Sequence, residues 1–136
     1  MGTNGSATGK SIKSAAIDLF YQQGYFATSI SDIARGCGIQ KASIYYHFPG
    51  KEDILFHIME ITMDNLTDYL MTNLQGLTDT EDRIRAAIRG HVAYHLEHQK
   101  KTFIANSELR GLTTKHYHTI VAKRDAYERI FQDLIL

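Results

Sequence analysis

The chain has 136 residues, the size of one ordinary domain or of one small domain plus part of a second. Fifteen Lys and Arg balance fifteen Asp and Glu, which excludes a uniformly basic nucleic-acid coat, and a lone cysteine, Cys37, excludes a disulfide framework or a cysteine-based zinc cluster. An apolar share of 43% argues against disorder, while no run approaches the ~18 apolar residues of a membrane span and Met1–Lys10 lacks a signal-peptide stretch, so a soluble cytoplasmic protein with no membrane partner is expected.

The charge is unevenly spread. Residues 1–51 hold Lys10, Lys13, Arg35, Lys41 and Lys51 against Asp18 and Asp32, and the remaining chain carries the compensating acidic excess. A basic first third on an acidic remainder suits a DNA-facing end joined to a body with another task.

Residues 1–9, rich in Gly, Ser, Thr and Asn, read as a flexible tail. From Ser11, the positions Ile12, Ala15, Ala16, Leu19 and Phe20 follow one helix face, and Gly24 supplies a stop. Ser29-x-x-Asp32 is a relative of the capping box and opens a short second helix that stops at Gly36-Cys37-Gly38. A third short helix is expected over Lys41–His47. A long fourth begins at Lys51 and keeps its period through Leu55, Ile58, Met59, Thr62, Leu66, Leu70 and Leu74 to Gly76. Thr78-x-x-Glu81 reads as a full capping box for a fifth helix reaching about Gln99, and Thr102–Leu112 and Lys115–Leu136 are helix-compatible. No segment alternates as a half-buried strand would. The fold class is all-α: three helices, the second and third short, over residues 10–55, joined by the long fourth helix to a helical body over 56–136.

The second and third helices carry the sharpest pattern. A helix-turn-helix needs a small residue where its helices cross, a turn residue tolerant of positive φ, and an apolar inner side. Ala34, Gly38 and the set Ile33, Ile39, Ile44 meet those demands. An ordinary helical hairpin is the plainer alternative.

The run Gly24-Tyr25-Phe26-Ala27-Thr28-Ser29-Ile30-Ser31-Asp32-Ile33-Ala34, then Gly38 to Phe48 with its Ile-Tyr-Tyr-His-Phe, then Lys51-Glu52-Asp53-Ile54-Leu55, closely resembles the N-terminal domain of TetR-family transcriptional regulators. The resemblance covers roughly Ile12–Leu55. It implies a homodimer that binds double-stranded operator DNA, with a C-terminal body that takes a small-molecule inducer and needs no cofactor. It also marks Lys51 as the family's phosphate-binding lysine. Two positions depart from the pattern: Ser31 stands where an arginine often reaches a base, and Gln40 replaces the usual Ser/Thr cap.

A recognition helix lies in the major groove with its N-terminal residues on base edges, so Lys41, Ala42 and Tyr45 are the expected readers. Ser43, Tyr46 and His47 carry polar tips suited to phosphate oxygens; Thr28 and Ser29 precede the second helix, whose N-terminal amides can also hold a phosphate, and Ser31 is kept among the DNA-facing residues with a shorter reach toward a base. The alternative for Tyr45, Tyr46 and His47 is packing against the first helix, with at least one tyrosine structural and Phe48 in the core.

In the body, His91, His95 and His98 are spaced i, i+4, i+7 on the fifth helix. Histidines at i and i+4 can share a metal, so a metal-sensing regulator is one alternative, although no motif carboxylate completes a tetrahedral set and no metal ligand is assigned. The plain reading of these histidines is surface or partly buried residues, and of Met59, Met63 and Phe103 ordinary core; the functional reading places His91 or His95 among the polar groups of an inducer cavity that Met59, Met63 and Phe103 also line. No nucleophile elbow, phosphate-binding glycine loop, His-Glu-x-x-His or Cys-x-x-Cys is present, so no enzyme is expected. A helical interaction adaptor remains the rival from another class. Finally, the apolar face Tyr127, Ile130, Phe131, Leu134, Ile135 runs to the last residue, which suggests a chain that stops short of its natural end.

Overall fold

A computed structural model describes residues 7–136, and among these the architecture is all-α. The elements are α1 (Ala7–Gln23), α2 (Ile30–Cys37), α3 (Lys41–His47), α4 (Lys51–Leu74), α5 (Thr80–Glu97), α6 (Gln99–Ser107), a 3₁₀ turn (Leu109–Gly111) and α7 (Thr114–Ile135). Residues 7–9, expected in the tail, form the first turn of α1, where Gly9 is buried; positions 1–6 of that tail lie outside the described residues.

Local chemistry sets the first three helices. Ser29 caps α2 in a reciprocal box, its hydroxyl accepting from Asp32 N while the Asp32 carboxylate accepts from Ser29 N at 3.0 Å. Gly38 closes α2 at φ 70°, a left-handed conformation that costs a side-chain-bearing residue roughly 1–2 kcal/mol. α3 starts at Gln40 with no side-chain cap, as the replaced Ser/Thr foretells.

Downstream the boundaries shift. The cap of α5 is Asp79, which accepts from Asp82 N at 3.1 Å, so the expected Thr78 box does not form. The fifth helix breaks at His98 (φ −120°, ψ 47°), and the expected helix Thr102–Leu112 is instead α6 followed by the 3₁₀ turn.

α4 is the spine, packed by α1, α5, α6 and α7. Two cores lie along it. The first joins Ile12, Phe20, Ile33, Ile44, Phe48 and Leu55 to Ile104 of α6 and Ile120 of α7. The second gathers Met63, Leu66, Leu70, Leu74, Ala87, Tyr94 and Tyr127. The first core crosses the expected boundary at residue 55, and α4 runs through it unbroken. The helix-turn-helix is therefore set on the body by a shared interior. No helix among the described residues is long and apolar enough to cross a membrane.

Candidate nucleic-acid interface and effector cavity

α2 and α3 turn Ile33, Ala34 and Ile44 into the first core, with Ile39 packed half-buried against it, which leaves one side of α3 outward. Lys41, Ala42, Ser43, Tyr45 and Tyr46 are exposed there, the two tyrosines by 49% and 60%. Neither tyrosine is structural in the sense expected; both rings face solvent, although Tyr46 sets its edge on His47 at 5.1 Å. Ser29 is exposed at the start of α2, and Ser31 is half-buried.

Two expected phosphate ligands sit elsewhere. Thr28 is 2% exposed, and its hydroxyl donates to the Gly24 carbonyl at 2.7 Å, pinning the turn before α2. His47 is 9% exposed, buried behind the last turn of α3. Both hold the domain together. A hydroxyl or imidazole four residues from a glycine turn or at a helix end has the same sequence signature whether it faces in or out.

Lys51 is also more engaged than a surface cation. Its Nζ donates to the Tyr25 carbonyl at 2.8 Å and lies 4.0 Å from the centre of the Tyr25 ring. Burial pulls its ammonium below the usual lysine range, while Glu108 pulls the other way. Tyr25 is a hub. Its N–H donates to Glu108 Oε2 at 2.7 Å, and burial together with Glu52, Asp53 and Glu108 pushes its phenol up to about 12. Beside it, Glu52 accepts from the Thr113 N–H at 2.9 Å and pairs with His116 Nδ1 at 2.8 Å, whose ring stacks on Phe56 at 3.8 Å. Thus the start of α4 is fastened to the 3₁₀ turn and to α7. Gly111 completes the joint, because a Cβ there would lie 2.6 Å from the Tyr25 ring and 2.8 Å from Leu55. The sequence reading missed Glu108, Gly111 and His116; their one visible signal is a glycine inside a helix-compatible stretch.

In the body, α4, α5, α6 and α7 border an open cavity of about 520 Å³ whose lining includes Met63, Leu66, His91, His95, Tyr127 and Phe131. His91 Nδ1 lies 2.8 Å from the Tyr127 hydroxyl. Burial, then His95, lowers the His91 pKa, and burial pushes the Tyr127 phenol up to about 12. His95 Nδ1 donates to the His91 carbonyl at 2.8 Å, because a carbonyl only accepts; in the neutral ring Nε2 is left as an acceptor. A mostly apolar cavity with a few convergent polar groups suits an organic ligand.

Three expectations for the body are corrected. Met59 is fully buried in the first core, one helical turn before the cavity. Phe103 is 52% exposed and sets its edge against Tyr21 at 5.4 Å on the outer face of α6. His98 ends α5, lies against Tyr94 at 4.3 Å and lines a different groove, so the three histidines do not converge. Among the described residues no group of three metal-ligating side chains meets, so positions 91, 95 and 98 are not gathered into one ligand set.

Residues 12–58 match the family model for bacterial regulatory proteins of the tetR family, and residues 77–136 match the tetracyclin repressor-like C-terminal domain. The chain is 32% identical over 101 residues to the HTH-type transcriptional regulator HbdR of Aromatoleum sp. (strain CIB), covering 74% of this chain and 44% of HbdR. It is 41% identical over 58 residues to IcaR of Staphylococcus aureus (strain Newman), a negative transcriptional regulator of a biofilm operon, covering 43% of this chain and 31% of IcaR. The chain therefore spans less than half the length of these curated relatives. The crystal structure of AibR in complex with isovaleryl coenzyme A and operator DNA superposes with a TM-score of 0.84 at 27% identity, covering 93% of this chain and 69% of AibR.

Proposed function

The chain belongs to the TetR family of bacterial regulatory proteins, and from that premise we propose that it is a ligand-responsive, DNA-binding transcriptional repressor acting as a homodimer on a palindromic operator. In this reading residues 10–55 meet DNA and residues 56–136 take the inducer. The observation that carries it is the joint between the two: Leu109 lines the cavity, and its neighbour Glu108 holds the Tyr25 N–H, whose carbonyl in turn holds Lys51. A ligand that moves the 3₁₀ turn therefore moves the start of α4 and the helix-turn-helix with it.

Lys41, Ala42 and Tyr45 are the base-reading side chains of this proposal; Ser43, Tyr46, Ser29 and Ser31 meet phosphates. Two recognition helices related by a two-fold axis sit about one DNA turn apart, so the operator is an inverted repeat. AibR, solved with both an acyl-coenzyme A and operator DNA, supports the pairing of the two activities, and IcaR supports the negative sign. An inducer acts only through its preference for the conformation that does not fit DNA; a coupling of about 1–3 kcal/mol gives a 5- to 150-fold loss of operator affinity.

Selection from a random duplex pool, followed by a salt titration of the winners, tests the reading. The expected result is an enriched inverted repeat whose affinity falls linearly on a log–log salt plot. No enrichment, with no duplex binding at low salt, rejects it.

A further inference from the structure

We propose that the groove between α1, the middle of α4 and the α5–α6 junction is a second ligand site, which takes a phosphate-bearing small molecule with an apolar portion. The groove encloses about 710 Å³. Its walls bring together Lys10 and Lys13 of α1 with Lys100 and Lys101 of α6, against two carboxylates, Asp18 and Glu97. Asp18 is already occupied, accepting from Lys100 Nζ at 2.9 Å, and Glu97 is exposed.

The other three lysines form no ion pair among the described residues. Lys13 Nζ lies 3.3 Å from His57 Nε2; an ammonium only donates, so that nitrogen accepts and His57 is neutral. Burial and the neighbouring ammonium groups of Lys10 and Lys101 lower the Lys13 pKa. The fold thus gathers four ammonium groups, Lys13 and Lys101 of them half-buried, against two carboxylates, one already paired with Lys100, and the excess of positive charge is one that a bound phosphate relieves. α6 begins in this lining without a side-chain cap, so its first-turn amides add donors of the same sign. The apolar portion of the ligand has Ile17, Ile58, Ile61 and Leu96 to rest on.

This site is separate from the two surfaces already described. Ile61 lies ten residues along α4 from Lys51, about 15 Å at 1.5 Å per residue, and no residue of α2 or α3 enters the lining. It shares only Thr62 with the effector cavity, and that hydroxyl donates to the Ile58 carbonyl. A phosphate bridging Lys13 and Lys101 ties α1 of the helix-turn-helix to α6 of the body.

Calorimetric titration of the whole chain with inorganic pyrophosphate and with n-butyl diphosphate, at fixed ionic strength and without DNA, tests the proposal. One saturable site is expected, with the butyl compound several-fold tighter. Lys13→Gln and Lys101→Gln should each weaken binding about tenfold, Lys13→Arg should retain it, and Lys115→Gln on the exposed start of α7 should leave it unchanged. Thermal unfolding of each variant reports whether it is folded. Absence of a saturable site, equal loss in Lys115→Gln, or displacement of pyrophosphate by random duplex DNA overturns the proposal. Because no DNA enters the primary measurement, its failure is distinct from failure of the repressor reading.

Discussion

Lys41 and Lys51 both open helices, yet their surroundings give them different work. Lys41 is exposed on α3 with no ion pair among the described residues, so Lys41→Ala should leave folding unchanged while costing about 1–3 kcal/mol of DNA binding and relaxing sequence preference. Lys51 is bonded to the Tyr25 carbonyl and covers its ring, so Lys51→Ala should destabilise the fold by about 1–2 kcal/mol as well as weaken binding to every sequence. Urea denaturation beside a panel of duplexes separates the two profiles; equal stability in both variants would show that the Tyr25 contact contributes nothing. Gly111→Ala belongs at the same scale. Its Cβ would enter the space of the Tyr25 ring and Leu55, and overpacking of that kind costs about 1–3 kcal/mol, read as a lowered urea midpoint.

The caps distinguish α2 from α3. α2 has a complete reciprocal box, and removing its acceptor with Ser29→Ala should cost about 1 kcal/mol. α3 has none, so Gln40→Ser should stabilise by about 0.5–1 kcal/mol, provided the new hydroxyl accepts from the first-turn amides. Thermal unfolding of the two variants should move in opposite directions. The break at His98 has a consequence for α5 and α6 as a pair. One continuous helix would carry His91, His95 and His98 along a single face. The break sends the third to another groove, beside the lysines.

At the scale of the whole molecule, pH reports on the interior. His91 and His57 both have pKa values lowered by burial, the first further by His95 and the second by Lys13. The unfolded chain therefore takes up these protons first, and stability falls as pH drops below the ordinary histidine value of about 6.5 until the folded groups are protonated too. His91→Gln should flatten part of that slope, as measured by urea midpoints across the range; an unchanged slope would remove His91 from the account. Asp32 acts with the same sign at lower pH: its pKa is lowered chiefly by the Ser29 backbone N–H, so its contribution is present at neutral pH and lost as pH falls below about 3.8. The joint through Glu108 makes a further whole-molecule prediction. Glu108→Ala, which removes the acceptor of the Tyr25 N–H, should shrink the fold-change in operator affinity caused by an inducer, measured by anisotropy, while leaving the inducer's affinity for free protein within about threefold.

Residues close together in the chain made much of this protein readable in advance. The starts of α2 and α4, the Gly38 turn and the inner isoleucines follow from spacing, because a 3.6-residue period and a cap are properties of ten or fewer neighbours, whereas the starts of α1, α5 and α6 lie away from the expected positions. What spacing does not carry is the identity of whatever covers a face. Met59 and Met63 share one stripe of α4, yet the first is buried in the core that also holds Ile104 and Ile120, while the second belongs to the second core and lines the cavity. Thr28 and His47 have polar tips, but the turn before α2 and the end of α3 close over them. Glu108 meets Tyr25 across 83 residues, and Lys13 meets His57 across 44. Such pairings exist only once α6 and α1 are laid against the spine, since a side chain's partner at long range is chosen by packing and not by its own neighbours.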